Sequence, residues 1–498
     1  MNRLFLLHSL NHILTSRSRI HRHNRLLKDQ EKTEREDKLD NTEGNEKWRD
    51  QGFTRPTVLV LLPTRGVCYK FVQQLFDLIG CQIDADQAER FENDYGVDPS
   101  QEEPNHDDEN ERRRKLVLQK KGPEWNELFG DDVNPDDDFK MGIGFTPKAA
   151  KGNSSKKVKG SDSNVLVKLY TDFYKSDMII ASPLALKMLT TPEDETKEGD
   201  TDYLSSIEIC LVGYADVLMM QNWDHVNDIL NFLNQQPKNN NDTDFSRVRN
   251  YLLDGQGCYW RQLIVSSDIL DPCIQSTFKR FGKSFTGSAK FRRRISPEDA
   301  SISNVLVPIK QVFQRVSATS FDTQIDARIT YFTKTILPEI LRQKQKHTMI
   351  FIPSYFDFCA LRNVLLKKDV SFVSVTEYSR TSEVTRGRAW FLQGRKPLML
   401  YTGRCHFFHR HVIKGVRHLI FFGVPEHSHF YSDHVNLIQT VVPLGGGDTE
   451  EVVDRATTVA SCLVLFTKYD AHSLERIVGS ANCNRMVSSE KTTFMFYA

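Results

Sequence analysis

Residues 205–226 read SSIEICLVGYADVLMMQNWDHV. Ile207, Ile209, Cys210, Leu211 and Val212 make a short apolar, partly β-branched run of the kind that forms a buried strand. Gly213-Tyr214-Ala215-Asp216 follow, and Leu218, Met219, Trp223 and Val226 then recur as one side of an amphipathic helix. Strand, polar turn and helix in that order form one unit of a parallel α/β sheet, whose ligands gather at the carboxyl ends of the strands. A nucleotide-hydrolysing motor built on such a sheet places paired carboxylates at this turn, to hold Mg²⁺ and position the attacking water. Here Gly213 and Tyr214 stand in the first two positions, and only Asp216 carries a carboxylate. The frame of a motor site is present without its chemistry.

The same unit recurs on both sides of this stretch. Residues 57–62 (TVLVLL) are a continuous apolar strand that ends at Pro63-Thr64-Arg65-Gly66, with Val67, Phe71, Leu75 and Leu78 along the helix that follows. Residues 177–181 end at Ser182-Pro183, and residues 261–265 end at Ser266-Ser267. Beyond Asn304 the pattern begins again, with strands expected over 348–352, 371–375, 397–401, 419–422 and 461–466. The alternation predicts two α/β domains with parallel sheets, over residues 51–295 and 296–498. Residues 84–163 interrupt the first: acidic, Pro- and Asn-bearing and ending in low complexity, they are expected to be a largely disordered insertion, with Trp125, Leu128 and Phe129 as a small docking patch. Residues 1–50 read as a basic amphipathic docking helix, with Leu4, Leu7, Leu10 and Leu14 on one face, and a charged linker over 31–50.

Composition bounds the function. With 66 Lys+Arg against 65 Asp+Glu there is no global basic field, so any nucleic-acid contact must rest on local patches. The nine Cys show no CxxC pair and no zinc-like spacing, and their odd number speaks against a disulfide framework. No run reaches the roughly 18 apolar residues of a membrane-spanning helix, and no membrane partner is expected.

Four features could carry chemistry. The tail of a phosphate-binding loop occurs once, at Gly282-Lys283-Ser284, but Thr277 stands where its first glycine is required and no apolar strand precedes it, so a basic surface loop is the better reading. The strand ends Pro63-Thr64-Arg65, Ser182-Pro183 and Thr402-Gly403-Arg404 offer hydroxyl and guanidinium donors that suit phosphate oxygens. Lys279, Arg280, Lys283, Lys290, Arg292, Arg293 and Arg294 form a run without acids, interleaved with Phe278, Phe281, Phe285 and Phe291, which fits stacking on RNA or else a solvated linker. Cys405, His406, His409 and His411 sit beside Arg404 and Arg410, a setting that suits a basic loop better than a closed zinc site. Gly445-Gly446-Gly447 reads as a flexible loop.

Several phrases together resemble one family: RPTVLVLLPTRGVCYKFVQQL, SDMIIASPLALKM, the stretch over 205–226, NDTDFSRVRNYLLDGQGCYWRQLIVSS, MIFIPSYFDFCALRNVL and YTGRCHFFHRHVIKGVRHLIFFGVP. By these the chain is similar to the U3 small nucleolar RNA-associated protein 25 family, also called digestive organ expansion factor, from about Leu4 to the C-terminus outside the insertion. The resemblance implies two RecA-like domains, as in DEAD-box helicases, with degenerate ATPase motifs. It implies a nucleolar, non-catalytic scaffold of the small-subunit processome, needed for pre-rRNA cleavage and 18S rRNA maturation. The implied partners are processome proteins, the U3 small nucleolar ribonucleoprotein and pre-rRNA, with no cofactor and no metal. On the helicase pattern Pro63-Thr64-Arg65 falls at the first RNA-gripping motif, Gly213-Tyr214-Ala215-Asp216 at the Asp-Glu-Ala-Asp motif, Ser266-Ser267 at the Ser-Ala-Thr motif and Thr402-Gly403-Arg404 near the second domain's RNA motif. The chain departs from the family at Gly213, where an acidic residue is usual, and in lacking a long acidic N-terminal extension. The expected RNA contacts are Thr64, Arg65, Ser182, Arg292, Arg293, Arg294, Thr402, Arg404 and Arg410. The rival readings are an active RNA-dependent ATPase with divergent motifs and a protein scaffold with no RNA contact.

Overall fold

In the computed structural model, residues 2–37, 48–80, 85–97, 121–147, 165–191, 199–241, 243–438 and 460–497 are described. They form two compact units, Met1–Asp268 with Pro272–Lys290 and Ile269–Asp271 with Phe291–Ala498.

The first unit is built on strands β1 (Val58–Leu61), β2 (Lys140–Pro147), β3 (Val165–Lys168), β4 (Met178–Ala181), β5 (Ile209–Val212) and β6 (Gln262–Val265), in the order β3-β2-β4-β1-β5-β6. β4, β1, β5 and β6 run parallel, and β2 lies antiparallel between β4 and β3. Every residue of β1, β4 and β5 is buried, which is why these strands read as unbroken apolar runs rather than alternating ones.

β2 belongs to the insertion, and the expectation of a largely disordered segment does not hold for it. Met141, Ile143 and Phe145 alternate into the core, a period-two signal that the surrounding acidic composition masked. A Cβ on Gly142 would stand 2.1 Å from the Thr171 carbonyl oxygen, so the close approach of that loop requires glycine. Helix α3 (Ala85–Tyr95) and a helix over Pro123–Phe129 are also regular. Trp125 and Leu128 of the latter are buried, and Lys70 donates to the Glu127 carbonyl at 3.3 Å, the small docked patch expected there. Residues 148–161 and 445–447 lie outside the described residues.

Helix α1 (Asn2–Asp37) docks on the first unit, with Phe5, Leu6, Ser9, Leu10 and Ile13 buried and Phe5 6.2 Å from Phe71. The buried stripe is one residue off the expected face: Leu4 and Leu7 are 72% and 59% exposed. The i, i+4 row through Leu6 and Leu10 with Ile13 follows the helical repeat as well as the 4-7-10-14 row does, and only the partner surface decides between them. The charged stretch read as a linker is helical to Asp37, and Asp50 at its end is buried, paired with Arg247 at 2.8 Å and with His23 at 2.7 Å.

The second unit holds β7 (Lys310–Arg315), β8 (Thr348–Ile352), β9 (Phe372–Val375), β10 (Leu398–Thr402), β11 (His418–Phe421), β12 (Ser461–Phe466) and β13 (Thr493–Tyr497), in the order β13-β7-β12-β11-β8-β10-β9. All neighbours are parallel except the antiparallel β13–β7 pair. Phe332, Ile350, Leu361, Leu400 and Phe422 sit in its core. β7 escaped the sequence reading because Gln311, fully buried, interrupts its apolar pattern; the Tyr431 hydroxyl donates to its side chain at 2.5 Å.

Candidate nucleic-acid interface

At the end of β5, Tyr214 takes the left-handed conformation, with φ 53°, and starts the short helix Ala215–Gln221. Asp216 is buried, and its Oδ1 accepts from the Asp268 amide at 3.2 Å, which ties the turn after β5 to the turn after β6. A Cβ at Gly213 would meet Leu62 Cδ2 at 3.0 Å, so the turn is packed around a residue with no side chain. Both hydrogen-bonding edges of β5 are occupied. β1 pairs with it through Val58↔Ile209 to Leu61↔Val212, and β6 through Ile209↔Gln262 to Val212↔Val265. The strand ends on either side are Pro63-Thr64 and Ser266-Ser267. Gly282-Lys283-Ser284 follows the last turn of the helix Pro272–Phe281, where the Gly282 amide donates to Phe278 O at 2.8 Å. That is the carbonyl end of a helix, whose dipole repels anions.

The polar strand ends turn inward. Thr64 caps helix α2 (Arg65–Ile79), its hydroxyl accepting from the Val67 amide at 3.4 Å, and it is 1% exposed. Ser182 caps the helix Pro183–Thr190 in the same way, accepting from Ala185 at 3.0 Å, and is fully buried. Thr402 is fully buried as well, donating to Glu377 at 2.7 Å. These three hydroxyls, expected as RNA contacts, make hydrogen bonds within the fold.

Arg65 is engaged by the insertion. The insertion lies over the start of α2: the Arg65 and Gly66 amides donate to Asp136 O and Asn134 O, each at 2.8 Å. The guanidinium donates to Asp94 O at 2.8 Å and Asp138 O at 2.6 Å, and pairs with the Asp136 carboxylate at 2.7 Å. A Cβ at Gly66 would sit 2.3 Å from Val133 Cγ1. An acidic segment of the chain therefore covers the N-terminus of α2 and engages the Arg65 guanidinium.

In the second unit, Arg410 is 9% exposed, with φ 44°, donating to His429 Nε2 at 2.7 Å and to Asp433 at 3.3 Å. The expected basic loop around it is a helix, Gly403–His409, whose Cys405 and His406 are buried. His406 and His434 lie with ring centroids 4.2 Å apart, and the Tyr401 hydroxyl lies 3.2 Å from His406 Nδ1. Burial first, and then the Arg410 guanidinium, hold His406 and His429 well below the usual imidazole range; burial, Arg476 and Arg410 take His427 down to about 3. Arg410 is thus a core residue amid neutral imidazoles, not a surface cation. Among the described residues no group of three or more His, Cys, Asp or Glu is placed to hold a metal.

The remaining candidates do reach the surface. Arg404 stands at the end of β10, its guanidinium 5.8 Å from the Phe408 ring. Beside it, at the carboxyl ends of β8 and β9, the sequence reading missed an aromatic cluster: Tyr355 and Tyr378 pack edge to face at 4.9 Å, and Phe356 is 82% exposed. The signal was present in Ser354-Tyr355-Phe356, where Ser354 caps the helix Tyr355–Lys367 and so fixes which aromatic points outward. Arg292 pairs with Glu475, Arg293 with Asp299 at 2.9 Å, and Arg294 is exposed.

Two family models match the chain: UTP25, NTP hydrolase-like domain, over residues 1–289, and Utp25, C-terminal domain, over residues 301–496. It is similar to Protein NUCLEOLAR FACTOR 1 of Arabidopsis thaliana, 34% identical over 99% of this chain and 60% of that protein. It is 34% identical to the Homo sapiens U3 small nucleolar RNA-associated protein 25 homolog, over 99% of this chain and 59% of that one. Against U3 small nucleolar RNA-associated protein 25 of Schizosaccharomyces japonicus it is 33% identical over 99% and 68%. The chain thus spans about 60% of the length of the first two relatives. Among solved structures, S. cerevisiae Dbp5 bound to RNA and ADP BeF3 matches 89% of this chain and 78% of that chain at 11% identity and a TM-score of 0.26, an overlap too loose to bear on any residue. On both family models and on identity along nearly its whole length, the chain belongs to the U3 small nucleolar RNA-associated protein 25 family.

Proposed function

We propose that this chain serves ribosome assembly as a non-catalytic, helicase-like component of the small-subunit processome, with its first such domain over residues 51–295 and its second over 296–498. The observation that carries the non-catalytic part is the turn after β5: no carboxylate at Gly213 or Tyr214, and Asp216 buried, accepting from the Asp268 amide. Without a phosphate cradle or a metal ligand the fold cannot lower the barrier to phosphoryl transfer. Relatives named as U3 small nucleolar RNA-associated proteins, and one named as a nucleolar factor, support work in the nucleolus with the U3 ribonucleoprotein, processome proteins and pre-rRNA. RNA is met by the exposed rings of Phe356 and Tyr378 with the half-buried Arg404 at the second sheet's edge, and by the exposed cations at 290–294.

The test is depletion and rescue. Loss of the protein is expected to reduce 18S rRNA and raise its precursors, with U3 RNA recovered on the tagged chain. Rescue by Asp216→Asn at full strength is expected. A failure of that variant to rescue, despite normal abundance, would contradict the non-catalytic reading.

A further inference from the structure

The first unit carries an ordered aromatic stack that neither the helicase pattern nor the polar strand ends account for. Tyr251 and Trp260 lie with ring centroids 4.7 Å apart at an interplanar angle of 16°, and Phe285 packs on Trp260 at 4.6 Å. Trp260 is 50% exposed and Phe285 63%, so the stack lies on the surface rather than in the core. Its geometry is fixed from behind. The Tyr251 hydroxyl donates to Glu208 at 3.3 Å and accepts from Arg249 at 3.1 Å. The Phe285 amide donates to Tyr259 O at 3.0 Å, and the buried Arg261 guanidinium holds Phe281 O at 3.0 Å, anchoring the helix end from which Phe285 departs. Beside the rings is an open depression of about 410 Å³, to which Arg49, Asn250, Asp254 and Gln256 contribute.

We propose that this stack is a landing site for unpaired bases of single-stranded RNA; the inference rests on the RNA-binding reading above and assigns it a place. Charge selects this occupant. The chain leading from the stack has no acidic residue between Asp271 and Glu298, while Lys279, Arg280, Lys283 and Lys290 are exposed along its first part. Cations beside flat, half-open rings match a phosphate backbone with splayed bases, since every base has a face to stack and every phosphate a charge to neutralise. The amides of Asn250 and Gln256 and the Asp254 carboxylate add donors and acceptors for a base edge at the depression. Paired RNA offers no free faces and fits the site less well.

The test is fluorescence anisotropy of the full chain with a fluorescein-labelled oligouridine and with a labelled RNA duplex. Trp260→Ala and Phe285→Ala are each expected to weaken oligouridine binding roughly tenfold. Both should leave the slope of log affinity against log salt unchanged, and Trp260→Phe should retain most of the affinity. Lys279→Ala with Lys283→Ala is expected to flatten that slope instead. The duplex is expected to bind more weakly than oligouridine and to be insensitive to Trp260→Ala. Phe285, the more exposed ring, gives a variant whose fold is little at risk, and thermal unfolding of both variants checks this. If the wild-type chain binds oligouridine and neither aromatic variant differs from it, the stack is overturned and RNA binding stands on the cations alone. If the wild-type chain binds no single-stranded RNA even at low salt, the RNA-binding reading falls, and the stack with it. A protein ligand lost with Trp260→Ala while RNA binding is unchanged would assign the surface to protein.

Discussion

At Thr64 and Ser182 one hydroxyl closes the first turn of a helix, and the expected consequence is a stability effect without a binding effect. Thr64→Ala and Ser182→Ala should each lower the unfolding free energy by about 1 kcal/mol in urea titrations, with RNA affinity changed less than twofold. Arg65→Ala removes the guanidinium that gathers Asp94, Asp136 and Asp138. We expect a loss of about 1–3 kcal/mol, and faster protease cleavage within 131–139 than in the wild type. Resistance unchanged at that segment would show that its backbone bonds to α2 suffice. At this scale the sequence conveys the kind of chemistry but not its direction. A Ser or Thr after a strand is a phosphate donor or a helix cap with equal right, and only the position of the next amides distinguishes them. Arg410 misled for the same reason: its neighbours His429 and Asp433 are distant in the chain and invisible to local reading.

Among elements, the parallel strands were legible because burial on both faces leaves an unbroken apolar run, as in β1, β4, β5, β8 and β10. Three others were not: β2 hides in acidic surroundings, β7 carries a buried Gln311, and β13 alternates in exposure at the sheet's rim, whereas the edge strands β6 and β9 kept enough apolar residues to be read. The α1 face was misplaced by one residue because Leu4, Leu6, Leu7, Leu10 and Ile13 permit more than one stripe. Its docking makes a direct prediction. Leu6→Ala or Ile13→Ala should destabilise the first unit by about 2–4 kcal/mol in chemical denaturation, whereas Leu4→Ala and Leu7→Ala should change it by less than about 0.5 kcal/mol. Equal effects at all four positions would reject the packing of this helix.

Over the whole molecule, the buried imidazoles of the second unit set a pH response. His406, His427, His429 and His434 are held below the ordinary value of 6.5, so the unfolded chain binds protons there that the folded chain refuses. Stability from these groups is complete above pH 6.5 and falls as the pH drops below it; Glu426, raised to about 7 by burial and by Asp271 and Asp357, works in the opposite sense, as do Asp357 and Asp433, both raised by burial. The thermal midpoint of the second unit should therefore fall between pH 7.5 and 5.5, and His427→Gln should make the decline shallower. A flat profile would place these imidazoles in contact with water. In the first unit the turn after β5 lacks the carboxylate pair that would hold Mg²⁺. Equilibrium binding of Mg²⁺-ATP to the full chain, with RNA-stimulated hydrolysis followed in the same samples, reads whether nucleotide chemistry survives without it. No saturable binding at millimolar nucleotide, and no turnover with RNA, is the expected result. Saturable binding with turnover that Asp216→Ala abolishes would contradict it and identify an active motor.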